Sequence, residues 1–146
     1  MRRRAAVASL VALAIAGCGG SSGSMTRLRA QAGRVCTKAR DAGALIRPPA
    51  LPASTAAFLR HGIAVLGPEL AGLQRLRPPS ERADDYRAAV DALDRELTIL
   101  AATVHDLDRG ADPLRAIKAL QRRLAPAEVR EDAAWRTLDV PACVNR

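Results

Sequence analysis

Tyr86, Val90, Leu93, Leu97, Leu100, Val104 and Leu107 recur at intervals of 4, 3, 4, 3, 4 and 3 residues. That spacing lays one apolar stripe along a helix. Pro78-Pro79-Ser80 precedes the stripe, with Ser80 placed as an N-cap and Glu81, Asp84 and Asp85 suited to the positive end of the helix dipole. Gly110 closes it, and Asp112-Pro113 restarts a helix with a cap and a first-turn proline. A second stripe, Leu59, Ile63, Leu66, Leu70, Leu73 and Leu76, follows Ser54 and Thr55, with Gly62, Gly67 and Pro68 expected to weaken or kink it. Leu28, Ala32, Val35, Ala39, Ala42 and Ile46 make a first helix whose inward residues are mostly small. A last one runs from Leu114 through Ile117, Leu120 and Leu124 to Trp135 and Leu138, bent at Pro126. Arg47-Pro48-Pro49 and Arg77-Pro78-Pro79 end the first two, because a proline pushes the residue before it out of the helical region. Four amphipathic segments with short connections predict an all-α, antiparallel four-helix bundle over residues 25–146.

Composition agrees. Aromatic residues are 2% of the chain, Ala and Leu abound and β-branched residues are sparse, which suits helices and disfavours a β-sandwich.

The chain opens on a different pattern. Arg2, Arg3 and Arg4 stand before an apolar stretch from Ala5 to Ala16, the form of a secretory signal. Twelve residues of helix reach about 18 Å, short of the ~30 Å hydrocarbon core, so a permanent span is disfavoured. Ile15-Ala16-Gly17-Cys18 resembles the lipobox of bacterial lipoproteins. That resemblance implies a signal peptide over 1–17, removed after a diacylglyceryl group is attached to Cys18, and a chain anchored in the cell membrane on its extracytoplasmic face. Ala14-Ile15-Ala16 also fits ordinary signal-peptidase cleavage and is the competing reading. Gly19 to Ser24 reads as a flexible tether, giving a segment 18–24 of lipidated cysteine and linker.

Location changes the meaning of the charge. The formal +8 falls to +5 once the signal arginines leave, and residues 24–47 hold six basic side chains against Asp41 alone. Residues 48–146 are balanced, with 14 of each sign. The excess therefore sits next to the expected lipid surface, where anionic headgroups attract basic segments; a solvated helix face is the alternative. No aromatic residues interleave with these arginines as nucleic-acid stacking requires, so no nucleic-acid partner is expected.

Cys36 and Cys143 remain, and an even pair in a small exported domain favours a disulfide. A metal site of Cys36, Cys143, His61 and His105 has none of the short spacings such sites use. Asp84, Asp85, Asp91 and Asp94 fall beside the core stripe and read as a solvated face. No ExxH pair, CxxCH motif, Gly-rich phosphate loop or GxSxG elbow occurs. No cofactor and no catalytic residues are expected.

Cys36, "LRPPSERADDY" from Leu76 to Tyr86 and "LDVPAC" from Leu138 to Cys143 are similar to a group of small, uncharacterised lipoproteins from high-GC actinobacteria. These pair a first-helix cysteine with one near the C-terminus and lead into a long helix through a leucine-Pro-Pro turn. The resemblance implies no activity. The expected function is a membrane-anchored, non-catalytic binding or structural module with an unidentified protein partner; the alternative is a carrier of a small ligand, metal or haem inside the bundle.

Overall fold

A computed structural model describes residues 20–145. The expected signal peptide over 1–17 and Cys18 lie outside the described residues. Among those described there is no strand, and four α-helices form an antiparallel bundle: α1 (Gly20–Gly43), α2 (Thr55–Gln74), α3 (Ala83–Asp108) and α4 (Pro113–Leu138). Short 3-10 turns at Pro52–Ser54, Ser80–Arg82 and Pro141–Cys143 complete it. No described helix is long and apolar enough to cross a membrane.

The helix α3 is central. Its predicted stripe is buried or half-buried throughout, and a second stripe beside it, Ala89, Ala92, Glu96, Ile99 and Thr103, is buried as well. A helix with two buried stripes needs two neighbours, and α3 packs on both α2 and α4. The helix α1 packs on α2 and on the chain end rather than along α4. A methyl group at Gly72 would stand 3.0 Å from Val35 Cγ1, which shows how closely α1 and α2 approach.

The apolar interior divides in two. One core gathers Leu28, Ala32 and Cys36 of α1, Leu70 and Leu73 of α2, Tyr86, Ala89, Val90 and Leu93 of α3, Trp135 and Leu138 of α4, and Val140 and Cys143 of the tail. The Tyr86 and Trp135 rings meet edge to face, with centroids 5.8 Å apart, a favourable arrangement of their quadrupoles. The second core, Leu59, Ile99, Leu100, Val104 and Leu120, takes nothing from α1.

Cys36 and Cys143 are bonded, with Cα atoms 5.2 Å apart at a sequence separation of 107. Cys36 lies well inside α1, so the chain end has to return along that helix. Asp139 makes the return: it adopts the left-handed conformation (φ 57°, ψ 52°), and the Val140 amide closes back on the Trp135 carbonyl. Arg29 then donates to the Leu138 carbonyl at 3.1 Å and approaches the Asp139 carboxylate at 3.5 Å. Further along, Asn145 donates its amide to Asp132 at 2.9 Å, so the tail runs back up the bundle after Pro141 has stopped regular helix.

Several boundaries differ from the sequence reading. The helix α1 includes Gly20 to Ser24, expected as tether, because extending an existing helix gains a hydrogen bond for each residue fixed. It stops at Gly43, short of Ile46, and Ala42 is exposed because the C-terminal part of α1 has no helix beside it on that face. Ser80 is not the cap of α3: it starts a 3-10 turn and its hydroxyl goes to Glu81. Asp112 does cap α4, accepting from the Arg115 amide at 2.8 Å. The helices α2 and α4 run through Pro68 and Pro126, both on exposed faces where water can reach the carbonyls they release. Leu114, expected on the core stripe, is 66% exposed in the first turn of α4.

The Tyr86 hydroxyl donates to the Leu73 carbonyl at 2.7 Å, tying the start of α3 to the end of α2. Burial pushes the Tyr86 phenol well above the ordinary tyrosine range. A raised folded-state value means that the phenol's contribution is complete at neutral pH and is lost once the unfolded chain ionises, above about pH 10. Tyr86→Phe is expected to cost ~1 kcal/mol at neutral pH through the lost hydrogen bond. It should also flatten the alkaline decline in stability, as urea unfolding at about pH 7 and above pH 10 would measure.

Candidate ligand-binding cleft

Three glutamates stand at the level between the two apolar cores. Glu69 on α2, Glu96 on α3 and Glu131 on α4 are 2%, 8% and 4% exposed. Glu96 sits one turn from Leu93 of the first core and one turn from Ile99 and Leu100 of the second. Glu131 accepts from the buried Trp135 indole at 3.0 Å, one turn along the same helix. Each of these side chains has interactions within the fold. Taking a carboxylate out of water still costs several kcal/mol, and Leu in the same register carries no such cost.

At this level α1 presents only Ala39, Arg40 and Gly43. The missing bulk leaves a cleft of about 740 Å³ between α1 and the other helices. Phe58, Val65 and Leu66 of α2, Leu100 of α3 and Leu124 of α4 form its apolar walls, and the three buried glutamates line it as well. Glu128 and Asp132 of α4 add two further carboxylates, against the single guanidinium of Arg40. Asp132 is engaged by Arg136 at 3.0 Å and by the Asn145 amide, and Arg40 lies 3.8 Å from Asp41. A mostly apolar concavity of this size with a few convergent polar groups is the usual form of a small-molecule site.

The residues singled out from sequence are distributed differently. Cys18 lies outside the described residues. Cys36 and Cys143 form the disulfide and are unavailable to a metal. His61 and His105 are exposed, and among the described residues no group of three or more His, Cys, Asp or Glu is arranged to hold a metal ion. Asp84, Asp91 and Asp94 are exposed and Asp85 half-buried, as a solvated face requires.

The three glutamates were missed by the sequence reading, although a signal existed. Glu96 continues Ala89 and Ala92 and is followed by Ile99 and Thr103, at intervals of 3, 4, 3 and 4. Glu131 falls between Ala127 and Trp135 at intervals of 4. Each is a charged residue in register with a buried face.

Comparison with family models, with curated proteins and with solved structures finds no match.

If the carboxylates serve a ligand rather than the fold, removing one should not weaken the bundle. Glu96→Leu is expected to raise the thermal unfolding midpoint, while Leu93→Ala, one turn earlier, lowers stability by about 2–5 kcal/mol. Circular dichroism melts of the two variants measure this. A lower midpoint for Glu96→Leu would mean that the glutamate level holds the helices together.

Proposed function

We propose that the chain is exported, lipidated on Cys18 and held at the extracytoplasmic face of the cell membrane, where its helical domain is a non-catalytic binding module for a small ligand. The observation that carries binding over a purely structural role is the cleft, whose walls are apolar and whose interior keeps buried carboxylates. Export is supported by the arginine-led apolar stretch and by a disulfide of the kind that persists in oxidising compartments. Lipidation is supported by Ile15-Ala16-Gly17-Cys18, and two or more acyl chains hold a protein to a bilayer where one does so only marginally. The likeness to small actinobacterial lipoproteins belongs to the same proposal.

Mass spectrometry of the mature protein should find Cys18 as an acylated N-terminus, and Cys18→Ala should block processing or release the protein from membranes. Cleavage that leaves an unmodified Gly17 at the N-terminus would refute the anchor.

The outer side of α1 supports contact with anionic headgroups in addition. Arg27, Arg34 and Lys38 are exposed, whereas Arg29 is engaged by the chain end. Reversing Arg27, Arg34 and Lys38 to Glu therefore tests the charge without disturbing the tail. Protein lacking the acyl group should bind anionic vesicles at low salt, and lose that binding as the Debye length falls to ~8 Å at physiological ionic strength. The triple reversal should abolish it; equal binding to neutral vesicles would exclude an electrostatic contribution.

A further inference from the structure

We propose that the cleft, together with a hollow beside it, holds a single-tailed lipid with an anionic head, the alkyl tail lying in the groove between α1 and α2 and the head at Arg47. The inference rests on the reading of the domain as a small-ligand binding module and names the chemistry of what it holds.

Two concavities meet at this place. The cleft of about 740 Å³ shares Ile46 and Val65 with a second hollow of about 520 Å³, whose other lining residues are Leu45, Arg47, His61 and Ala64. The cleft follows α2 from Phe58 to Glu69, eleven steps of helix or about 16 Å. A space of that length suits an extended tail better than a compact ring. Phe58, Val65 and Leu66 of α2 give it apolar contact, with Leu100 of α3 and Leu124 of α4. Gly43 and Gly62 leave it clear: a Cβ added at either meets nothing within 4 Å. An alkyl tail asks nothing of the acidic side chains, which the fold engages for itself. Leu45 carries the apolar track outward. It is 82% exposed at the rim of the hollow, and covering it removes apolar surface from water.

The outer hollow sets the head. Its lining has no Asp or Glu, and its guanidinium, Arg47, is exposed and takes part in none of the ion pairs among the described residues. The planar fork of a guanidinium matches a carboxylate or a phosphate. His61 adds a ring N–H, which an imidazole offers in either protonation state. The acidic side chains line the inner cleft alone, so an anionic head at Arg47 meets no carboxyl group in the hollow and only the tail passes inward.

Dodecanoate, dodecanol, dodecylammonium and hexanoate, each titrated calorimetrically into the full-length chain near neutral pH and below micelle-forming concentrations, separate head from tail. Dodecanoate should bind about fivefold more tightly than dodecanol, the upper range of a solvent-exposed ion pair, with dodecylammonium weakest of the three. Hexanoate should bind at least about a hundredfold more weakly than dodecanoate, because each buried methylene contributes severalfold. Arg47→Gln should bring dodecanoate to the level of dodecanol and leave dodecanol unchanged. Gly62→Leu fills the groove from a helix interior where leucine is the better helix former, so circular dichroism should show the fold kept while every dodecyl probe weakens at least about tenfold. Equal affinity for dodecanoate and dodecylammonium, or for dodecanoate and hexanoate, overturns the lipid and leaves the binding module intact. Dodecanoate binding that Gly62→Leu does not alter lies outside the groove and overturns the lipid likewise. Naphthol, compact and uncharged, distinguishes the two readings: naphthol bound without dodecanoate overturns the lipid alone, and neither bound overturns both.

Discussion

The bond between Cys36 and Cys143 is the constraint on which the arrangement of the first helix depends. Apolar burial supplies α1 with little: its buried positions are Leu28, Ala32, Cys36 and Ala39, and small side chains remove little surface from water. It lacks a lateral helix on the α4 side. Closing a loop of 107 residues supplies what the apolar face lacks, about 4–5 kcal/mol in the chain-entropy account. The bond also fixes where the tail runs. With Cys143 held at Cys36, residues 139–145 have to climb along α1, and Arg29, Asp139 and Asp132 mark the path. The clamp holds α1 in its second half, at Cys36. Beyond Ala39 that helix leaves the bundle interior, and the cleft opens there.

What could be read from the chain follows from how local each feature is. The stripe from Tyr86 to Leu107 was legible because a helical period is a property of one segment. The double prolines marked the helix ends only loosely: α1 and α2 stop at Gly43 and Gln74, several residues before them, whereas proline constrains only the residue next to it. The cysteine pair was legible from its even number and the compartment expected for the chain, and Pro141 showed that the tail could not continue as helix. The glutamate level showed only as charged residues in register with a possible buried face. Glu96 has the same spacing from Leu93 and Leu100 that a flanking salt-bridge residue would have, and only the presence of α2 on one side and α4 on the other turns that flank inward. Ala42 and Leu114 failed for the converse reason: their period was correct, and no neighbour stood opposite. Ser80 shows competition at a helix start, where a 3-10 turn ending at Arg82 displaced the capping geometry its sequence position offered.

The two cores explain how the bundle tolerates buried carboxylates at all. The first core holds the tyrosine, the tryptophan and the disulfide, so the end of the bundle where α1 begins does not rely on the glutamate level for cohesion. The second is a three-helix cluster of aliphatic residues and joins α2, α3 and α4 without α1. The exposed ion pair of Arg60 with Asp108 links α2 to α3 at that end and adds little, as surface pairs do. With cohesion supplied above and below, the level between carries its carboxyl side chains without having to supply apolar contact.

The same first helix separates two fields of opposite sign. Arg27, Arg34 and Lys38 point to solvent, while Ala39 and Gly43 border an acidic interior. A helix with its side chains is ~10–12 Å across, and the Debye length in physiological salt is ~8 Å. The exposed basic charges are therefore strongly screened at the distance of the cleft. The basic surface and the acidic cavity consequently do not neutralise each other. A net charge of +5 for the chain without Arg2, Arg3 and Arg4 therefore does not describe the lining of the cleft. The cleft draws its carboxylates from the segment beyond residue 47, where acidic and basic residues are equal in number. Its negative character comes from folding, which brings side chains of α2, α3 and α4 to one level and leaves most of the compensating arginines outside.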